Sequence, residues 1–224
     1  MKKLITLLPL LGLLLDSNWL YLGPILNNDN LRHGGFISEL SAHGQPYAGL
    51  FQTLDIIAGL VWVGAAFYLL RVKRSILSRL LGSVLLVLGT GDIVDALLPL
   101  DCSETLSGVC RQASLSSFTD NVHLVESCVA VILFAIVANV LLLSLHYSRK
   151  RRSLYFMTIF MLSAMLLWLF DTLARQHIQS EGYGYIQRWF QAIFIVWLTV
   201  FWRTVQKQPH LLSRLYVRPR LRRR

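Results

Sequence analysis

Charge is the first thing this sequence is short of. Only 15% of its 224 residues are charged while 54% are hydrophobic, and a soluble domain of this size carries about a quarter. That excludes an ordinary water-soluble domain, and several apolar runs reach the roughly 20 residues needed to cross a bilayer. Histidine and cysteine are also scarce, at 6 and 3 copies, and neither His-Glu-x-x-His nor Cys-x-x-Cys occurs. The spacings by which zinc sites are recognised in a sequence are therefore missing. No Gly-x-Ser-x-Gly elbow is present either. Met1, Lys2 and Lys3 followed by the apolar residues 4–15 resemble a signal peptide, but no small-residue cleavage site follows, because Asp16, Ser17, Asn18 and Trp19 come next. Residues 4–25 are read as an uncleaved first membrane span.

What is present is an all-α, polytopic pattern of six transmembrane helices. The spans are expected at about 4–25, 47–70, 76–98, 122–145, 154–173 and 185–202, with a basic tail over 204–224. Of the 22 lysines and arginines, all but Arg32, Arg111, Arg175 and Arg188 fall on one side of this arrangement. The positive-inside rule makes that side cytoplasmic, so both termini are expected inside. The same rule accounts for the formal net charge of +10 without a nucleic-acid partner, and the tail is expected to lie against anionic lipid headgroups.

All 12 acidic residues fall in the outer half or the outer loops, which the rule does not require. The organising stretch is Gly89 to Asp101, where Asp92 and Asp95 stand three residues apart on one helical face. At about 1.5 Å per residue, Asp55 lies roughly 12 Å below the outer end of its span, with Asp92 at similar depth. A short carboxylate cannot snorkel that far, and such buried charges are usually functional or paired. His123 and Glu126 open the fourth span at i and i+3, Asp171 closes the fifth, and Arg188 sits in the first turn of the sixth. Glu126, Asp171 and Arg188 taken singly also fit ordinary interface positions.

Together these residues suggest a polar pocket open to the outer face. Asp55, Asp92 and His123 are the expected catalytic core, with His123 as general acid or base oriented by a carboxylate. Glu39, Asp95, Asp101 and Arg188 are the expected binding residues, Arg188 receiving an anionic headgroup. A divalent metal such as zinc is a second reading, with His123, Glu126 and Asp92 as ligands. Ser38 in a loop with a His and an Asp nearby suggests nucleophilic catalysis, but local turn formation explains it as well. Cys102 and Cys110 are expected to form a disulfide that pins the loop above Asp92 and Asp95, while Cys128 reads as a small buried apolar residue.

Phe36 to Ala42 before span two, Asp55 within it, Pro99 to Asp101 after span three, His123 opening span four, and Gly182 to Arg188 with Trp197 in span six resemble the family called domain of unknown function 998. The resemblance covers most of the chain. It implies a six-helix membrane protein of the prokaryotic cytoplasmic (inner) membrane without an assigned activity, and by position it points to Glu39, Asp55, Asp101, His123 and Arg188. A weaker similarity is to the ceramidase and adiponectin-receptor superfamily of membrane hydrolases, which place a Ser, an Asp and three His around zinc in seven spans. This chain has six expected spans and lacks the paired His of their last helix. The function expected is binding or processing of an envelope lipid or lipid-linked substrate. The alternatives are a small transporter or proton-coupled partner subunit, and an accessory protein without catalysis.

Overall fold

The computed structural model describes residues 2–26, 32–72, 76–103, 105–107, 152–175 and 184–207, together with Cys110 and isolated helical positions within 118–139. Among the described residues the chain is helical and contains no strand. Six helices have defined bounds: α1 (Lys2–Asp16), α2 (Asn18–Ile25), α3 (Ala48–Val72), α4 (Ile76–Leu97), α5 (Arg152–Arg175) and α6 (Gly184–Lys207), with a single 3-10 turn at Ser38–Ser41. Two stretches, Ala48–Arg71 in α3 and Arg79–Leu97 in α4, are long and apolar enough to cross a membrane, and Tyr155–Leu167 in α5 is a shorter apolar segment.

The expected first span at 4–25 is broken into two helices. Ser17 turns its hydroxyl back to donate to the carbonyls of Leu13 at 2.7 Å and Leu14 at 3.2 Å, a back-bond that bends helices. Pro24 inside α2 lacks an N–H, and the Leu26 amide closes that helix on Leu22 O. The break turns Asn18 and Trp19 into the interior. The ranges expected for the second, third, fifth and sixth spans coincide with helices α3, α4, α5 and α6 within a few residues, except that α6 runs to Lys207, past the expected start of the tail. The fourth expected span, 122–145, and residues 208–224 lie largely or wholly outside the described residues.

Sequence chemistry sets the ends. α3 begins after Pro46 and Tyr47, and Tyr47 takes a left-handed φ of 63°, which costs a bulky residue about 1–3 kcal/mol. Its carbonyl accepts from the Leu50 and Phe51 amides, so the strained residue closes the first turn of the helix. α4 stops two residues before Pro99, consistent with the bias of pre-proline residues away from helix.

α3 and α4 form a tight antiparallel hairpin. α1 packs against α3, and α5 packs against α6. The core joins Leu13, Trp62, Leu69, Leu85, Met161 and Trp197 from all five long helices. A buried polar pair crosses it, the Trp197 indole N–H donating to Thr158 Oγ1 at 3.0 Å, as a buried indole requires. The hairpin closes through glycine. A Cβ on Gly59 would stand 2.5 Å from Gly89 O, and one on Gly89 would stand 2.6 Å from Gly59 O. Small residues at helix crossings let backbones approach in this way.

The polarity of the surface is inverted. Along α3, Leu50, Ile57, Leu60 and Phe67 are exposed at steps of seven, three and seven residues, which keep to one face of a helix. Phe156, Phe160, Leu166, Leu167, Trp189 and Val196 are exposed on α5 and α6. Glu39, Asn18, Ser41 and Ser103 are buried instead. Large contiguous apolar surface of this kind marks a face made for lipid or for another protein.

Candidate functional site

The polar groups collect at the end of the bundle where α3 begins and α4 ends, and they form two sets. The first centres on Asp55. Asn18 donates from Nδ2 to Asp55 Oδ1 at 2.9 Å, and the carboxylates of Asp16 and Asp95 lie close enough to act on Asp55 as like charges. Asp92 is one turn deeper, with its Cβ 3.3 Å from where a Cβ on Gly59 would be. The glycine crossing therefore seats Asp92 against the α3 backbone, and an oxygen of each of Asp92 and Asp95 is buried. Asp92 and Asp95 thus lie on the α4 side of the crossing and Asp55 on the α3 side, with Asn18 hydrogen-bonded to Asp55.

The second set centres on Glu39 in the 3-10 turn, which is fully buried. Its carboxylate accepts from Ser103 Oγ at 2.7 Å and Thr105 Oγ1 at 3.1 Å, and Ser103 Oγ accepts in turn from the Leu106 amide at 3.3 Å. The His43 amide donates to Leu100 O at 2.9 Å, so the loop after α4 is docked on the loop before α3. The expected Cys102–Cys110 disulfide is formed, with Cα atoms 6.0 Å apart, next to Ser103. Ser38 takes part in a local turn, its carbonyl accepting from Ser41 Oγ.

The start of α6 completes this cap by reading backbone. Arg188 donates from Nη2 to Gly35 O at 2.7 Å, stacks its guanidinium over the Tyr185 ring at 4.9 Å, and feels the charge of Glu39. The Gly184 amide donates to Gly34 O at 2.8 Å, and Gln187 Oε1 accepts from the Ile37 amide at 2.9 Å. Gly184 meets the Gly35 backbone so closely that no side chain fits there. One turn further, Gln191 Oε1 accepts from the Trp19 indole N–H at 2.8 Å.

Arg188 and Glu39 therefore belong to the loop cap, whereas Asp55, Asp92 and Asp95 belong to the helix crossing. Asp101 is exposed at the edge of the cap. His123 and Glu126 lie outside the described residues. Among the described residues no group of three His, Cys, Asp or Glu could hold a metal ion. Sequence reasoning missed Asn18, Gln52, Gln187 and Gln191, and the signal for each was an amide side chain inside an apolar helical run.

Two cavities flank α4. An apolar groove of about 500 Å³ lies between Val87, Thr90, Gly91 and Val94 of α4 and the helical positions Phe118, Val122, Val125 and Val129. A second cavity of about 570 Å³ lies between the start of α3 and the end of α4, with His43, Gln52, Thr53 and Leu97 among its walls. Thr90, Val94 and Leu97 follow one another by four and three residues, hence on one stripe of the helix. Both cavities thus border α4, the apolar groove along its middle and the half-polar cavity at its end.

Removing the charge at Asp55 separates its roles. Asp55→Asn keeps an acceptor for Asn18 and removes the like-charge contact with Asp16 and Asp95, so thermal stability in detergent is expected to hold or rise. Asp55→Ala leaves the Asn18 amide without its acceptor and is expected to lose about 1–3 kcal/mol. Equal losses in both variants would refute this assignment.

A model of the family described as "Protein of unknown function (DUF998)" matches residues 19–204. No curated protein and no solved structure matches the chain, so the weaker likeness to membrane ceramidases has no counterpart among them.

Proposed function

The chain belongs to this family, and from that premise we propose that it is a six-span protein of the prokaryotic cytoplasmic membrane, both termini inside, that binds an envelope lipid or lipid-linked substrate from the outer face. The observation that carries this reading is that an apolar groove and a half-polar cavity border successive parts of α4, with Thr90 and Val94 of the first and Leu97 of the second on one stripe of the helix. An amphiphile has that order of polarity. Its chain would lie in the groove and its headgroup at the polar end, beside the loop cap. The occupant of the groove is an acyl or isoprenoid chain because α4 is apolar enough to span a bilayer and the adjoining exposed side chains are aliphatic or aromatic. Neither Asp55 nor Asp92 lines the half-polar cavity, so the reading is one of binding. Processing by Asp55, Asp92 and His123, with a divalent metal at His123, Glu126 and Asp92 as its metal-assisted form, would require the bound molecule to reach the helix crossing.

The experiment is purification from native membranes in a mild detergent and identification of retained lipid by mass spectrometry. Val94→Trp, which fills the groove, is expected to cut retained lipid by about tenfold, a loss of about 1.4 kcal/mol in binding. Unchanged retention would remove the groove from the reading.

The fold half of the proposal has its own check. Single cysteines introduced in 149–152 are expected to resist a membrane-impermeant thiol reagent in intact cells, and ones introduced in 174–184 to react. The opposite pattern would overturn the orientation.

A second reading, proton-coupled transport, draws on acidic residues from three different helices, Asp16, Asp55 and Asp95, whose charges influence one another. It predicts proton uptake with substrate by the reconstituted protein, which lipid binding alone does not.

A further inference from the structure

The walls of the cavity at the end of α4 select among headgroups, given the lipid-binding reading on which this inference rests. The cavity is bounded by His43, Gly49, Gln52, Thr53, Ile56 and Leu97. Thr53 spends its hydroxyl hydrogen on Gly49 O at 2.6 Å, so toward any ligand its oxygen acts as an acceptor. Gln52 directs its amide nitrogen at Ser41 O at 2.8 Å, which fixes the orientation of the amide and leaves its carbonyl oxygen as the second acceptor. The imidazole of His43 supplies a further ring nitrogen, while its backbone amide is held by Leu100 O.

An ionised phosphate carries only acceptors and needs donors or cations around it. Here the wall keeps only the second amide hydrogen of Gln52 and an imidazole N–H of His43 as side-chain donors, too few for an ionised phosphate, and among the described residues no Lys or Arg lines the cavity. An ammonium headgroup would need a carboxylate, and none lines it either. Hydroxyl groups fit both conditions, since each can donate to the wall and accept from the imidazole. Ile56, Leu97 and Pro99 add apolar wall for the carbon face of a ring or polyol. We infer that this cavity takes an uncharged, hydroxyl-rich headgroup, as in a glycosylated lipid.

The wall of the cavity also provides a variant suited to the test. A Cβ on Gly49 would meet no atom within 4 Å, so a larger side chain there grows into open space and not into the packed helix. The full-length protein would be placed in phosphatidylcholine nanodiscs containing either monoglucosyl diacylglycerol or phosphatidylglycerol with the same acyl chains. Thermal unfolding would then be followed, because a ligand that binds the native state raises its midpoint. The glucolipid is expected to raise the midpoint by several degrees and phosphatidylglycerol to do so much less. Gly49→Leu is expected to abolish the glucolipid shift, and Thr53→Val, which removes one acceptor, to reduce it.

Equal shifts from both lipids would overturn the hydroxyl-rich assignment and leave lipid binding standing. A glucolipid shift untouched by both variants would remove it from this cavity. No shift from either lipid would overturn the headgroup inference together with the lipid-binding reading.

Discussion

Replacing Gly89 with leucine is expected to force α3 and α4 apart and to cost about 3 kcal/mol or more, beyond the usual penalty for an overpacked core. The added Cβ would stand 2.6 Å from Gly59 O, 2.7 Å from Trp62 Cβ and 3.0 Å from the Val63 amide nitrogen. Two of these three are backbone atoms and cannot swing aside as a flexible side chain does. Because Asp92 is seated against Gly59 by the same crossing, the carboxylates of α3 and α4 would separate with the helices. Thermal unfolding in detergent and binding of retained lipid should fall together. The control lies on the same helix pair. Gly64 is exposed and a Cβ there meets nothing within 4 Å, so Gly64→Leu is expected to stay within about 0.5 kcal/mol of the parent. If Gly89→Leu were as mild as Gly64→Leu, the glycine crossing would not be what holds the hairpin.

Glu39→Ala is the second large effect, and it acts on the cap. Glu39 is fully buried and both of its oxygens accept hydrogen bonds, from Ser103 and Thr105. Hydrogen bonds to a charged group contribute about 1.5–3 kcal/mol each, so losing two should cost about 3 kcal/mol after partial relaxation. The Arg188 charge, which Glu39 attracts, would lose a neighbour of opposite sign. Glu39→Gln keeps one acceptor and is expected to fall between. The loop carrying Cys102 and Cys110 should become accessible to protease in Glu39→Ala and remain protected in the parent. Equal protease resistance in both proteins would mean that the disulfide alone fixes that loop.

Much of the fold was legible because its signals are local. The apolar runs of α3 and α4, the proline after α4, and the spacing of Asp92 and Asp95 each state their consequence within a few residues. The Cys102–Cys110 pair was legible for the same reason, since eight residues bring two cysteines of one loop within bonding reach. What stayed hidden depends on partners far away in the chain. Nothing near Ser17 announces that its hydroxyl will bend the first helix, because the same residue in another context faces out. Arg188 reads as a headgroup ligand from its depth, yet its guanidinium is committed to Gly35 O and Tyr185. Glu39 reads as a binding residue from its loop position, yet its hydrogen-bond donors come from the loop after α4. Gln187 and Gln191 look like tolerated amides until residues 19 and 37 are placed beside them.

The backbone contacts of α6 also impose an order of assembly. Residues 32–37 leave the ribosome early, while the groups that satisfy them, Gln187 and Arg188, are made 150 and 153 residues later. Until then the carbonyl of Gly35 and the amide of Ile37 have only water or lipid headgroups to bond, so the segment cannot settle into its final buried place. α6, synthesised long after that segment, is thus the helix that locks it. A nascent chain stopped after α5 would hold a formed α3–α4 hairpin beneath an open cap, a state that quality-control proteases could distinguish from the finished protein.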